Sequence, residues 1–273
     1  MLSAYFFLYL YDMLTFLRKL RRSFIDSSSA QKYILYAIGE IALVVIGILI
    51  ALQINNWNES NKDLQKEQKI LIQLKQEYES NLSQLEEKMS MRSNIIINSM
   101  EILDYIDRVS KPDVDSLTNY IGVVLLDPTF DPVQNDLFSS GNLRLIRNEN
   151  LKSLLTNWSS DIITVQELEE LWQRMVPDLF LPFLVNTGLN RDIMHNIWKD
   201  GKNDIWLMDK SVIERMSIGF TKNPPAHLSS EEIEQLEGLL ANAITYNYAG
   251  NLQSETLRGR IVEIIELLNQ EIK

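Results

Sequence analysis

The chain has 273 residues, a net charge of −11, 45% apolar residues and no cysteine. That length allows one or two domains with a sizeable core, and the missing cysteine excludes disulfides, thiolate metal sites and cysteine nucleophiles. Residues 1–33 carry five Lys and Arg against two Asp, whereas the chain from Asn55 onward carries −13. So acidic a body is unsuited to nucleic-acid backbones, while the basic start suits an anionic membrane leaflet.

Residues 2–11 are apolar and aromatic but too short to span a bilayer. Met13, Phe16, Leu17, Leu20 and Phe24 then share a face, with Arg18, Arg21 and Arg22 largely off it. This predicts a basic amphipathic helix at the membrane surface, within a cytoplasmic segment 1–33, and Met13 reads as the translation start. Residues 34–54 hold one charge, Glu40. As a helix these 21 residues reach about 31 Å, the thickness of a bilayer core. Tyr33 and Tyr36 stand at one end and Trp57 at the other, as interfacial aromatics do. The basic flank predicts a cytoplasmic N-terminus and an acidic domain, residues 55–273, outside. No small-x-small cleavage pattern follows, so the span reads as an uncleaved anchor in the inner membrane. Glu40, Gly47 and Ala51 fall on one face of it. Gly47 and Ala51 form a small-xxx-small pair that permits close helix packing, and Glu40 either leans back to the headgroups or bonds a partner helix.

The stretch "KYILYAIGEIALVVIGILIALQINNWNE" resembles an uncharacterised family of single-span membrane proteins common in the Bacteroidota. Tyr36, Gly39, Glu40, Gly47, Gln53, Asn55, Asn56 and Trp57 carry that resemblance, and "SSGNLRLIRNENLKSLL" at 139–155 is similar to the family as well. The resemblance implies a place and an architecture, and no reaction.

Beyond the span, residues 58–110 contain neither Pro nor Gly. Leu71, Leu74, Tyr78, Leu82, Leu85 and Met89 keep a three–four spacing that Ile96, Met100 and Leu103 extend, predicting one long stalk helix continuous with the span. Lys111-Pro112 ends it. A shorter helix is expected at about 114–126. Asp131 and Pro132 read as the cap and first residue of another, ending at Gly141. Residues 148–176 make a long helix that Pro177 and Pro182 interrupt or restart, and 190–223 read as short helices around "KDGKND". Ser229 and Glu232 form a capping box, with Leu228 and Ile233 as its staple, opening a last helix of about 230–272 in which Gly250 is a potential break. The expected architecture is all-α: an antiparallel helical bundle on a transmembrane stalk.

No P-loop, GxGxxG, GxSxG or HExxH motif occurs. No catalytic, cofactor-binding or metal-binding residue is therefore assigned. His195 with Asp192 is a weak metal pair and reads as a helix-surface histidine. Trp158, Trp172, Trp198, Trp206, Phe180 and Phe183 read as core, with a ligand groove as the other option. The leading expectation is a non-enzymatic, membrane-anchored interaction protein that meets a second copy or another envelope protein. A ligand-sensing module and an enzyme with an unrecognised site are the alternatives.

Overall fold

The computed structural model of the protein describes residues 15, 30–109, 111–133, 141–199 and 216–273. The basic amphipathic stretch before residue 30, Trp206 and most of "KDGKND" lie outside the described residues. Among the described residues there are helices and no strand, only an isolated bridge between Asp113 and His227. The helices are α1 (Ala30–Arg108), α2 (Val114–Val124), α3 (Glu149–Met175), α4 (Leu181–Asn186), α5 (Asn190–Lys199) and α6 (Ser230–Glu271).

The chain divides into two compact units, Met1–Lys66 and Glu67–Lys273. In the first unit, the part of α1 that begins at Ile34 is long and apolar enough to cross a membrane. Its 18-residue window has a mean hydropathy of 2.6 and is 0% buried. Leu35 is 71% exposed and Ile41 65% exposed, so these apolar side chains have no cover from this chain.

In the second unit the three long helices pack by one rule. Apart from Met91, beside Arg92, the buried positions on α1 run Glu67, Leu71, Leu74, Tyr78, Asn81, Leu85, Arg92, Ile95, Ser99 and Ile102. They follow alternating steps of four and three, with half-buried Lys88 filling the gap. On α3 they run Leu151, Leu155, Trp158, Ile162, Val165, Glu169 and Trp172. On α6 they include Leu236, Leu240, Ala243, Asn247, Gly250, Ser254, Leu257, Ile261, Ile264 and Leu268. A seven-residue repeat of this kind keeps one seam facing its neighbours along a long helix. Hydrogen bonds fix the directions. Gln68 meets Glu271 and Arg92 meets Ser254, so α1 and α6 run antiparallel. Asn148 meets Glu271 and Arg260 meets Asp161, so α3 and α6 do too.

The repeat corrects the apolar reading of α1. Ile96 and Leu103 are only half-buried and Met100 is 56% exposed, while Arg92 and Ser99 are inside. A search for apolar residues drifts onto the neighbouring face where the seam itself turns polar. Three further expectations change. Asp131–Val133 is not helical, so Pro132 does not open a helix there, and 134–140 lie outside the described residues. Gly141, at φ +68°, instead precedes a short 3-10 turn, Asn142–Leu145. At Pro177 the α-helix gives way to a π turn over Val176–Phe180, and it restarts as α4 with Pro182 in its first turn, so the chain stays helical through both prolines. Gly250 does not break α6, which passes through it.

Local rules set the helix starts. Asp113 accepts from Ser116 N at the head of α2, and Asn148 accepts from Leu151 N at the head of α3. The α6 capping box forms in both directions, with Ser229 N donating to Glu232 at 2.7 Å and Glu232 N donating to Ser229 Oγ at 3.3 Å. Leu228 is buried and Ile233 packs against the same cluster. Replacing Ser229 by Ala is expected to cost about 1 kcal/mol, read as a lower urea midpoint with an unchanged slope.

Candidate functional site

Two apolar clusters divide the second unit. One gathers Leu71 to Leu85 of α1, Leu151 to Val165 of α3 and Leu257 to Leu268 of α6. The other gathers Met91, Ile95 and Ile102 of α1, α2, the α3–α5 region from Trp172, and Leu236 to Ala243 of α6. Where one gives way to the other, the seven-residue seams place Arg92, Glu169, Asn247, Gly250 and Ser254 inside.

Arg92 is 1% exposed and Glu169 5% exposed, and the two form a hydrogen-bonded ion pair. Arg92 also donates to Ser254 Oγ at 2.8 Å and to the Pro128 carbonyl at 3.2 Å. The second Glu169 oxygen accepts from Phe130 N at 3.1 Å. Gly250 explains itself here. A Cβ at that position would stand 3.3 Å from Cδ and Nε of Arg92, a tight contact that would require the guanidinium stem to give by a few tenths of an ångström. A crevice bordered by Asp127, Glu169, Trp172 and Tyr246 leaves room for about one water molecule beside the pair.

Burial dominates the electrostatics of both partners. It lowers the Arg92 pKa, and it raises the Glu169 carboxyl to about 7 against the opposing pull of Arg92 and the Phe130 amide. Burial likewise raises the Tyr78 phenol, which packs on Trp158 with ring centroids 5.0 Å apart. For Glu169 the folded chain holds a proton more tightly than the unfolded chain. Its contribution to stability is therefore complete below about pH 4.5 and is lost as pH rises through about 7. The span of that loss is roughly 3 kcal/mol as an order of magnitude. Replacing Glu169 by Gln is expected to flatten this part of the pH–stability curve between pH 5 and 8, as denaturant titrations at several pH values will read out.

The other sequence candidates fall elsewhere. His195 is not a surface residue: it is 3% exposed. Its Nδ1 accepts from Gly219 N at 3.1 Å, and its ring lies edge-on to Phe220 at 4.3 Å. Asp192 accepts from Thr221 N at 2.6 Å. Both members of the weak metal pair are thus committed to the backbone of residues 219–221. The local spacing could not reveal this, because the covering segment lies more than twenty residues away. Among the described residues no group of three or more His, Asp or Glu is placed to hold a metal. Trp158, Trp172, Phe180 and Phe183 are buried in the two apolar clusters, and Trp198 is half-buried. Glu40, Gly47 and Ala51 are exposed on α1, and a Cβ at Gly47 would meet nothing within 4 Å.

Among the described residues the fold is that of a helical protein with one helix long and apolar enough to cross a membrane. Residues 40–123 match a family of unknown function, DUF6090. The matched stretch runs from Glu40 through the polar positions of α1 and across most of α2, so over it the chain is similar to an uncharacterised family. No curated protein and no solved structure matches the chain.

Proposed function

We propose that the protein is a membrane-anchored interaction protein of the cell envelope, with its N-terminus in the cytoplasm and a helical bundle on the outer side of the inner membrane. The observation that carries this reading is the uncovered apolar stretch of α1. A core helix of a soluble protein buries such a window against its own chain, and here none of the window is buried. The excess of basic residues before the span supports the direction. The partner is a second copy or another envelope protein, met through the Glu40–Gly47–Ala51 face and the coiled-coil-like helices beyond it.

The anchor is tested by washing membranes at alkaline pH and then treating intact spheroplasts with protease. The protein is expected to stay with the membrane and to lose residues from the body but not from the N-terminus. Release by the wash, or protection of the body, overturns the reading. The interaction is tested by crosslinking and size analysis in mild detergent. A strict monomer with no co-purifying protein, unchanged by Gly47→Ile or Glu40→Leu, counts against it.

A further inference from the structure

We propose that residues 126–133 form a strap that opens from α1 and α3 as one unit, and that its opening brings water to the Arg92–Glu169 pair. This segment without regular secondary structure, "LDPTFDPV", is tied down by side chains of α1 and α3. From α1, Asn81 reads both backbone groups of Val133: its Oδ1 accepts from Val133 N at 2.8 Å and its Nδ2 donates to Val133 O at 3.1 Å. Gln84 accepts from Asp131 N at 3.2 Å, and Arg92 donates to the Pro128 carbonyl. From α3, Glu169 accepts from Phe130 N, Trp172 donates to the Leu126 carbonyl at 2.9 Å, and Gln173 donates to Thr129. Phe130 is fully buried among the apolar side chains of the three long helices.

These ties share one segment and two rigid neighbours, so losing the Phe130 anchor leaves the rest little to hold. The seams of α1, α3 and α6 meet one another without the strap, which makes its detachment a sub-global opening distinct from unfolding. Lifting the strap removes the Phe130 amide and the Pro128 carbonyl from the pair and hydrates it, which relieves the desolvation of the charged form of each group. The groups facing Glu169 are Arg92 from α1, Asp127 from the strap and, across the crevice, the Tyr246 phenol of α6. Burial in the closed state raises the Glu169 carboxyl to about 7. The closed strap therefore binds the proton more tightly than the open one, and opening becomes more frequent as pH rises.

Hydrogen exchange of the full chain in detergent micelles tests both parts. The Phe130, Asp131 and Val133 amides are expected to exchange together, faster than the buried-seam amides of α1 and α6. Asn81→Ala is expected to speed all three by about tenfold or more, as is half-buried Gln84→Ala to a lesser degree, leaving the seams unchanged. Protection equal to that of the seams, or acceleration confined to the amide next to each substitution, overturns the single-unit strap. If Asn81→Ala fails to fold, Gln84→Ala and the wild-type chain still decide this. After correction for intrinsic rates, opening is expected to rise about tenfold between pH 6 and 8 in the wild type and to stay flat in Glu169→Gln. A wild-type response that is flat in pH overturns the proton linkage.

Discussion

Replacing Arg92 by Met is expected to destabilise the second unit by about 3–5 kcal/mol. Met fills much of the same stem volume, so the loss is not chiefly a cavity. It comes from depriving Glu169 of its cation, so that it must take up a proton or stay charged inside, from stranding the Pro128 carbonyl, and from removing the donor to Ser254 Oγ. Adding Glu169→Gln to that variant is expected to recover about 2 kcal/mol, because the neutral amide still accepts from Phe130 N and no charge remains inside. Denaturant titrations of wild type, both single variants and the double variant measure this coupling. Strict additivity of the two substitutions would show that the pair does not act as a unit. The comparison also bears on what the polar layer is for. A buried ion pair is weak evidence of net stability, and its best-attested role is to fix which positions of packed helices face one another. Here it lies where one apolar cluster gives way to the next, on three helices whose uniform seven-residue repeat would otherwise tolerate a slip by one repeat.

Much of the helical layout is legible from short-range rules. The α6 start needs only Ser229 and Glu232, and the membrane-length stretch needs only an unbroken apolar run. The polar layer is different. Arg92 and Glu169 lie 77 residues apart, and Glu169 sits between Glu167 and Glu170, which read as solvated surface. The signal was nonetheless present in the spacing. Continuing the four–three steps from Leu71 through Tyr78 lands on Asn81, Leu85, Lys88 and then Arg92, and the same steps from Leu151 land on Glu169. Reading only apolar residues discards these positions where they carry the most information. Gly250 was misread for a related reason. Its helix-breaking tendency is local, whereas its use, admitting the Arg92 stem, depends on a residue in another helix. His195 and Asp192 look like a polar helix face until the loop at 219–221 covers them. In each case the missing term is a contact between segments far apart in sequence, which no local propensity encodes.

The same distinction makes Trp172 the second position of large effect. It is 2% exposed, packs edge-to-face on Phe180 with centroids 5.7 Å apart, and donates its indole N–H to the Leu126 carbonyl at 2.9 Å. Trp172→Ala is expected to cost about 3–5 kcal/mol, since it empties a core position between α3 and the π turn that carries Pro177. Trp172→Phe separates the two contributions. It keeps an aromatic body against Phe180 but strands the Leu126 carbonyl, and is expected to cost about 1–3 kcal/mol. The two variants also differ in place. Alanine loosens the cluster around Phe180, whereas phenylalanine mainly frees the start of the 126–133 segment. Denaturant midpoints give the energies, and exchange at the Phe130 amide reports the segment. Equal losses in the two variants would assign the whole effect to the Leu126 hydrogen bond. A phenylalanine variant indistinguishable from wild type would assign it to packing alone, and an intermediate value would show Trp172 joining the helical core to the strap laid across it.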